Sequence, residues 1–212
     1  TGVKVPLIVY IPETYKNLYP SDPGSEINRL VSFIDLAPTV LNLANAEIPS
    51  TMQGKAFLGK ELNAESEYVH IARGRMDERY DMQRGVRTKD YKYLRYYEPS
   101  KPFIQFMNTP ESGPLMTELR KAEKAGKLSP EAKQLVEPIK PEESLFDLNI
   151  DPFEFNDLAK NPDYKDKLDE LREVHNQWME KVLDVGLIPE AIIRNWEKSK
   201  NKPIYKILRE DS

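Results

Sequence analysis

Arg73, Arg75, Arg79 and Arg84 are interleaved with Asp77, Glu78 and Asp81 in the stretch ARGRMDERYDMQRGVR, the densest set of groups in the chain able to do chemistry. A guanidinium presents a planar fork that fits sulfate, phosphate or carboxylate in two-point contacts, and neighbouring carboxylates can accept from sugar hydroxyls. The alternative is a solvated loop whose charges satisfy one another, and from the residues alone that alternative leads. Other chemistry is scarce. The sequence has no cysteine, so disulfides, thiolate nucleophiles and cysteine-based zinc sites are excluded. It has only two histidines, His70 and His175, and a Ser–His–Asp triad would have to use one of them. His175 falls on or beside the apolar stripe of a helix, where a packed structural histidine is expected. His70 shares a strand face with Tyr68 and Ala72, and its plain reading is a partly buried polar contact.

Two local patterns imitate functional motifs. SDPGS, from Ser21 to Ser25, begins like the Ser/Cys-x-Pro-x-Arg sequence in which a residue is converted to formylglycine, but Ser25 stands where the arginine is required. It reads as a Pro/Gly loop. DLNIDPFEFNDL starts like a calcium loop with Asp147, Asn149 and Asp151. Pro152 then occupies the place of the turn glycine, and Leu158 that of the bidentate glutamate.

These groups must be positioned by a chain of 212 residues, long enough for one large domain or two small ones. Its hydrophobic fraction of 39% is low and its charged fraction of 31% high, and 17 prolines imply many turns around a modest core. A net charge of −4 without a basic stripe argues against nucleic acid as a partner. No run approaches the roughly 18 apolar residues of a membrane span, so no membrane partner is expected.

Val3, Val5, Leu7, Ile8, Val9 and Ile11 form an apolar run typical of a strand buried on both faces of a parallel sheet. Such a strand needs neighbours, and without them it should leave apolar surface uncovered. Residues 12–28 read as loop, Leu30 to Ile34 as a short strand, and Asp35 onward as a helix with Leu36, Val40, Leu43 and Ala44 on one face. Tyr68–Ala72, Met82–Arg87 and Tyr91–Tyr97 read as antiparallel strands, with RTKDY as a hairpin turn. Residues 100–140 read as an insertion of short helices. ESLFDL gives another strand. A long amphipathic helix, capped by Asn161 with Pro162 at its first position, is expected to run to about Asp184 and stop at Gly186. A shorter helix near Ile188–Lys198 is expected to close the ordered part.

GVKVPLIVYIP, VSFIDLAPTVLNLA, MQGKAFL, RGVRTKDYKYLRYY, SLFDLNIDPFEFNDLAKNPDY and LDELREVHNQWM, taken in this order, resemble the C-terminal part of a sulfatase of the alkaline phosphatase superfamily. The arginine-rich stretch and the following insertion look most like the bacterial enzymes related to heparan N-sulfatase, that is, N-sulfoglucosamine sulfohydrolase. The resemblance implies an α/β class that becomes α+β towards the C-terminus. Residues 1–62 would hold a late strand and helix of the catalytic domain. Residues 63–185 would form a small antiparallel sheet packed on a long helix, and 186–212 a final helix and tail. It implies a parent that hydrolyses sulfate esters or sulfamates on sulfated saccharides, in the periplasm or outside the cell. The formylglycine and calcium of that parent are expected in an N-terminal domain that would be this chain's partner, since no position here matches their motifs. No catalytic or metal-binding residue is therefore assigned to this chain. His70, Arg73, Arg75 and Asp77 are expected to help form the outer substrate pocket. A non-catalytic glycan-binding module and a purely structural one remain the alternatives.

Overall fold

The computed structural model describes residues 2–18 and 20–210. The strands are β1 (Val69–Met76), β2 (Arg79–Arg87), β3 (Tyr91–Tyr96) and β4 (Glu143–Asp147), hydrogen-bonded in the order β1-β2-β3-β4. The Thr88 amide donates to the Tyr91 carbonyl at 2.9 Å and the Tyr97 amide to that of Met82 at 3.1 Å. Tyr96 donates to Glu142 at 2.8 Å and Leu148 to Asp90 at 2.7 Å. In each pair one index rises as the other falls, so β2, β3 and β4 are antiparallel. The β2–β3 turn closes on the Thr88 hydroxyl, which accepts from the amides of Asp90 (3.1 Å) and Tyr91 (2.8 Å). The charge-rich stretch, expected as a loop, is instead the β1–β2 hairpin, turning at Asp77 with φ +45°. An aspartate tolerates that left-handed conformation better than most residues, which is what lets the turn close without glycine.

The chain divides into two compact units. The first comprises Thr1–Ile71, Val86–Lys92 and Phe146–Glu154. Its helix α1 (Leu36–Leu43) begins as expected, but its faces are inverted: Pro38, Thr39 and Asn42 are buried while Leu36, Val40 and Leu43 are exposed. The buried polar groups clasp residues 54–61. Asp35 accepts from the Lys55 amide at 2.8 Å, Thr39 from that of Phe57 at 3.1 Å, and the Asn42 amide donates to the carbonyls of Leu58 (2.8 Å) and Glu61 (2.6 Å). A side chain at Gly54 would lie 1.9 Å from the Ile34 carbonyl oxygen, so only glycine allows this close approach. Residues 30–32 form no strand, and 33–35 make a tight 3-10 turn because Asp35 also accepts from the Ser32 amide at 2.8 Å. Residues 3–11 form no hydrogen-bonded strand. Ile8 is 91% exposed, and Val3, Val5, Leu7 and Val9 are exposed beside it. The expectation of a strand buried on both faces is therefore not met: the run is irregular and its apolar side chains are exposed.

The second unit comprises Ala72–Gly85, Tyr93–Leu145 and Phe155–Ser212. Helix α5 (Lys165–Lys181) buries Leu168, Leu171 and His175. The His175 ring centre lies 5.7 Å from that of Tyr93 with the planes tilted by 57°, and its Nε2 lies 2.9 Å from the Tyr97 hydroxyl, so it is a packed structural residue as expected. Asn161 accepts from the Asp163 amide at 3.0 Å and caps the short turn that leads into α5. The helix stops a little earlier than its expected end near Asp184, because Leu183 takes the left-handed conformation at φ +52°. Helices α2 (Asn108–Glu111), α3 (Pro114–Lys124) and α4 (Pro130–Val136) form the insertion. Helix α6 (Glu190–Lys200) is followed by α7 (Ile204–Glu210), which the sequence reading left out.

Strand alternation sends successive β2 side chains to opposite sides of the sheet. Tyr80 and Arg84 reach the segment after α5, whereas Asp81 meets Lys140 from the end of the insertion. The Asp81–Lys140 contact is 2.5 Å, with neither side chain exposed. Gln83 donates to the second Asp81 oxygen at 2.6 Å, and the Lys140 ammonium sits 5.8 Å and 6.0 Å from the Phe103 and Tyr96 ring centres. Removing one member of such a pair strands a buried charge at a cost of about 3–5 kcal/mol. Lys140→Met is therefore expected to destabilise the protein by about that amount, and Asp81→Leu/Lys140→Met to recover most of it, as read by chemical denaturation. A double variant no more stable than the single one would show that the pair's role is not charge compensation.

Candidate substrate-binding surface on the first hairpin

The arginines expected to act together have different partners. Arg84 points its Nε and Nη2 at the two oxygens of Asp184, at 2.6 Å and 3.0 Å, and its Nη1 at the carbonyls of Arg73 (2.5 Å) and Gln83 (2.9 Å). Both side chains are nearly buried. Gly186 belongs to the same assembly, since its amide donates to Asp184 at 2.7 Å and its carbonyl accepts from the Tyr80 hydroxyl. A side chain at Gly186 would meet Arg84 Nη2 at 2.4 Å, so this glycine serves close packing rather than helix termination. Arg79 donates to the Phe106 carbonyl at 2.6 Å, and the adjacent Glu78 accepts from the Asn108 amide at 2.8 Å. Together they fasten the hairpin tip to the insertion.

Of the expected pocket residues, Arg73 lies 3.6 Å from the buried Asp81 and keeps a buried Nε without a hydrogen-bond partner. Asp77 is the exposed turn residue. Arg75 keeps about half its side chain exposed (48%) and donates through Nε to Glu190 at 2.8 Å. These three lie in the second unit, whereas His70 lies in the first. Glu190 was not singled out from the sequence, and nothing local marks it: a glutamate at the start of a charged helix is an ordinary first-turn residue. Arg75 holds its carboxyl below the usual range. Among the described residues no group of three or more His, Cys, Asp or Glu could hold a metal ion.

The hairpin and insertion lie within a stretch that known proteins share. The family described as N-sulphoglucosamine sulphohydrolase, C-terminal, matches residues 1–139. The chain belongs to this sulfatase family. Two ulvan-active sulfatases of Formosa agariphila are similar to it, one 38% identical over 206 residues (96% of this chain) and one 30% identical over 222 residues (97%). The chain spans only 34% and 40% of their lengths. A solved 2-O GAG sulfatase shares the fold, with a TM-score of 0.50 at 22% identity over 74% of this chain and 27% of that one. The small antiparallel sheet with its helices is thus the sulfatase C-terminal architecture.

The sulfatase hairpin is held partly by charge, and its acid limit follows. Burial works to raise the Asp184 carboxyl, but the Arg84 fork and the Gly186 amide outweigh it and hold it below the ordinary value. A carboxyl held low in the folded state contributes stability that is present above about pH 4 and lost as the pH falls through its folded value. Asp184→Asn should therefore be less stable than wild type at pH 7 and show a shallower loss between pH 4 and 2, followed by denaturant melts at each pH. Parallel curves for the two proteins would remove Asp184 from the acid response.

Proposed function

We propose that this chain is the C-terminal part of an enzyme that hydrolyses sulfate esters or sulfamates on a sulfated polysaccharide, and that it shapes the substrate pocket without breaking the bond itself. The observation that carries this reading is the similarity, along nearly the whole chain, to sulfatases described as ulvan-active. The family description points to N-sulfated glucosamine as a second substrate candidate. Both are sulfated saccharides, and Arg75 on the exposed edge of β1 suits either. His70, Arg73 and Asp77 are the further residues proposed for the outer pocket, with Arg73 also lying beside Asp81.

Formylglycine and calcium belong, on this reading, to the remainder of the enzyme. The chain offers no cysteine, Ser25 stands where the formylglycine motif needs arginine, and no metal-holding cluster lies among the described residues. These residues fit neither group, and no step of the reaction runs through either in this chain. The remainder of the enzyme would also cover the apolar surface of residues 3–11 and the outward face of α1. No helix among the described residues is long and apolar enough to cross a membrane, and an enzyme acting on a polysaccharide would work in the periplasm or outside the cell.

Purified alone with calcium, the chain is expected to release no sulfate from an aryl sulfate or from N-sulfated glucosamine. In the complete sulfatase, Arg75→Ala is expected to raise KM for a sulfated oligosaccharide about tenfold, the effect of losing one charge-assisted contact, and to spare a small aryl sulfate. Equal losses on both substrates, or none, would leave the hairpin a structural element.

A further inference from the structure

Arg75 does not meet Glu190 alone. Its Nε takes one carboxylate oxygen at 2.8 Å, and Arg194, one helical turn further along α6, brings Nη2 to 3.6 Å from the other. Two guanidinium groups thus converge on one carboxylate and leave one uncompensated positive charge. The side chains of Arg75, Glu190 and Arg194 are 48%, 47% and 78% exposed. Among the described residues the two terminal nitrogens of Arg75 make no hydrogen bond, so the outer edge of its fork is unused. By contrast Arg84 is nearly buried and bound at every nitrogen, and Arg79 is committed to the Phe106 carbonyl.

We propose that Arg75 and Arg194, spaced by Glu190, form an anion subsite that takes a sulfo group of the saccharide. This deepens the proposed function and rests on it. Each guanidinium offers its outer pair of N–H donors, and a tetrahedral sulfo group has oxygens enough to accept from two forks at once. The singly negative sulfate ester matches the residual charge of the triad. Glu190 keeps both guanidinium groups at one place, so less side-chain freedom is lost when the anion arrives. The subsite therefore draws on α6, a helix that falls outside the residues matched by the family.

Arg194 supplies the decisive test because it is exposed and bonded only weakly, so its removal should leave folding intact. In the complete sulfatase, Arg194→Ala is expected to raise KM for a sulfated oligosaccharide about three- to tenfold. It should leave kcat, the thermal midpoint and the kinetics on an aryl sulfate unchanged. The Arg75→Ala/Arg194→Ala variant should lose less than the product of the two single losses, because both forks hold one anion. Arg194→Lys should recover only part of the binding, since a point charge cannot make the two-point contact. If Arg75→Ala raises KM and Arg194→Ala does not, the subsite is overturned while the pocket role of Arg75 stands. If neither changes KM, both fall. An equal rise in Kd for the desulfated oligosaccharide would overturn the assignment of an anion as the ligand.

Discussion

A carboxylate and an ammonium that expose none of their side-chain surface must find each other inside the second unit, and much of that unit is arranged around this requirement. Asp81 enters from the middle of β2 and Lys140 from the last residues of the insertion. Their attraction has to offset two desolvation costs, which it does only when the remaining hydrogen-bonding capacity is also met. Gln83 supplies one further donor, and the Phe103 and Tyr96 rings pack beside the ammonium. Because the insertion must deliver Lys140 to this point, its three short helices are tied to the sheet by chemistry that tolerates little displacement. On the opposite side of β2, Arg84 performs the matching task by holding Asp184 and the residues after α5. The strand is anchored on both faces by charge, and its partner β1 thereby gains a rigid base from which Arg75 projects.

How far the sequence could disclose this depends on the range of each interaction. The turn at Thr88–Asp90 was legible because its hydroxyl and amides lie within three residues. The α5 start was legible because Asn161 and Pro162 signal it locally. The pairings of the charged stretch were not legible. Asp81 meets a residue 59 positions away, Arg84 one 100 away and Arg75 one 115 away, and no pattern within a window can rank those partners. The turn at Asp77 was missed for a related reason, since Asp–Glu carries none of the glycine or asparagine that marks a tight hairpin. Gly186 misled because glycine near a helix end has a second use, close packing, that looks identical in one dimension.

The same distance argument separates the four arginines, which are equivalent in composition and unequal in setting. Each burial or backbone contact lowers the freedom of a guanidinium to accept a ligand. Arg84 is spent on Asp184 and two carbonyls, Arg79 on the Phe106 carbonyl, and Arg73 approaches the buried Asp81. The rule that each charge meets a partner holds for most of the stretch, but apart from the 3.6 Å approach of Arg73 to Asp81 the charged partners lie outside it. It fails at Arg75, whose single bond to an exposed carboxylate leaves the outer fork in water. Pairing with distant groups and ligand binding are not competing descriptions of the whole stretch; they apply to different residues within it.

Helix α1 shows that a hydrophobic pattern identifies a helix without saying which side faces inward. Leu36, Val40 and Leu43 share a face, as the periodicity indicates, yet the residues buried within the first unit are Pro38, Thr39 and Asn42. The inversion has a physical cause. Residues 54–61 run as irregular chain whose amides and carbonyls need partners, and Asp35, Thr39 and Asn42 supply them at hydrogen-bond distance. Polar side chains do this work better than leucine could, so the polar face turns inward and the apolar one outward. A helix folded in this way is held largely through its polar face, with Pro38 buried on the same side. Its apolar face, like the run from Val3 to Ile11, is then left without a role in holding the first unit together. The spacing of the apolar residues locates the helix, and the hydrogen-bonding needs of the neighbouring irregular chain decide which face is buried.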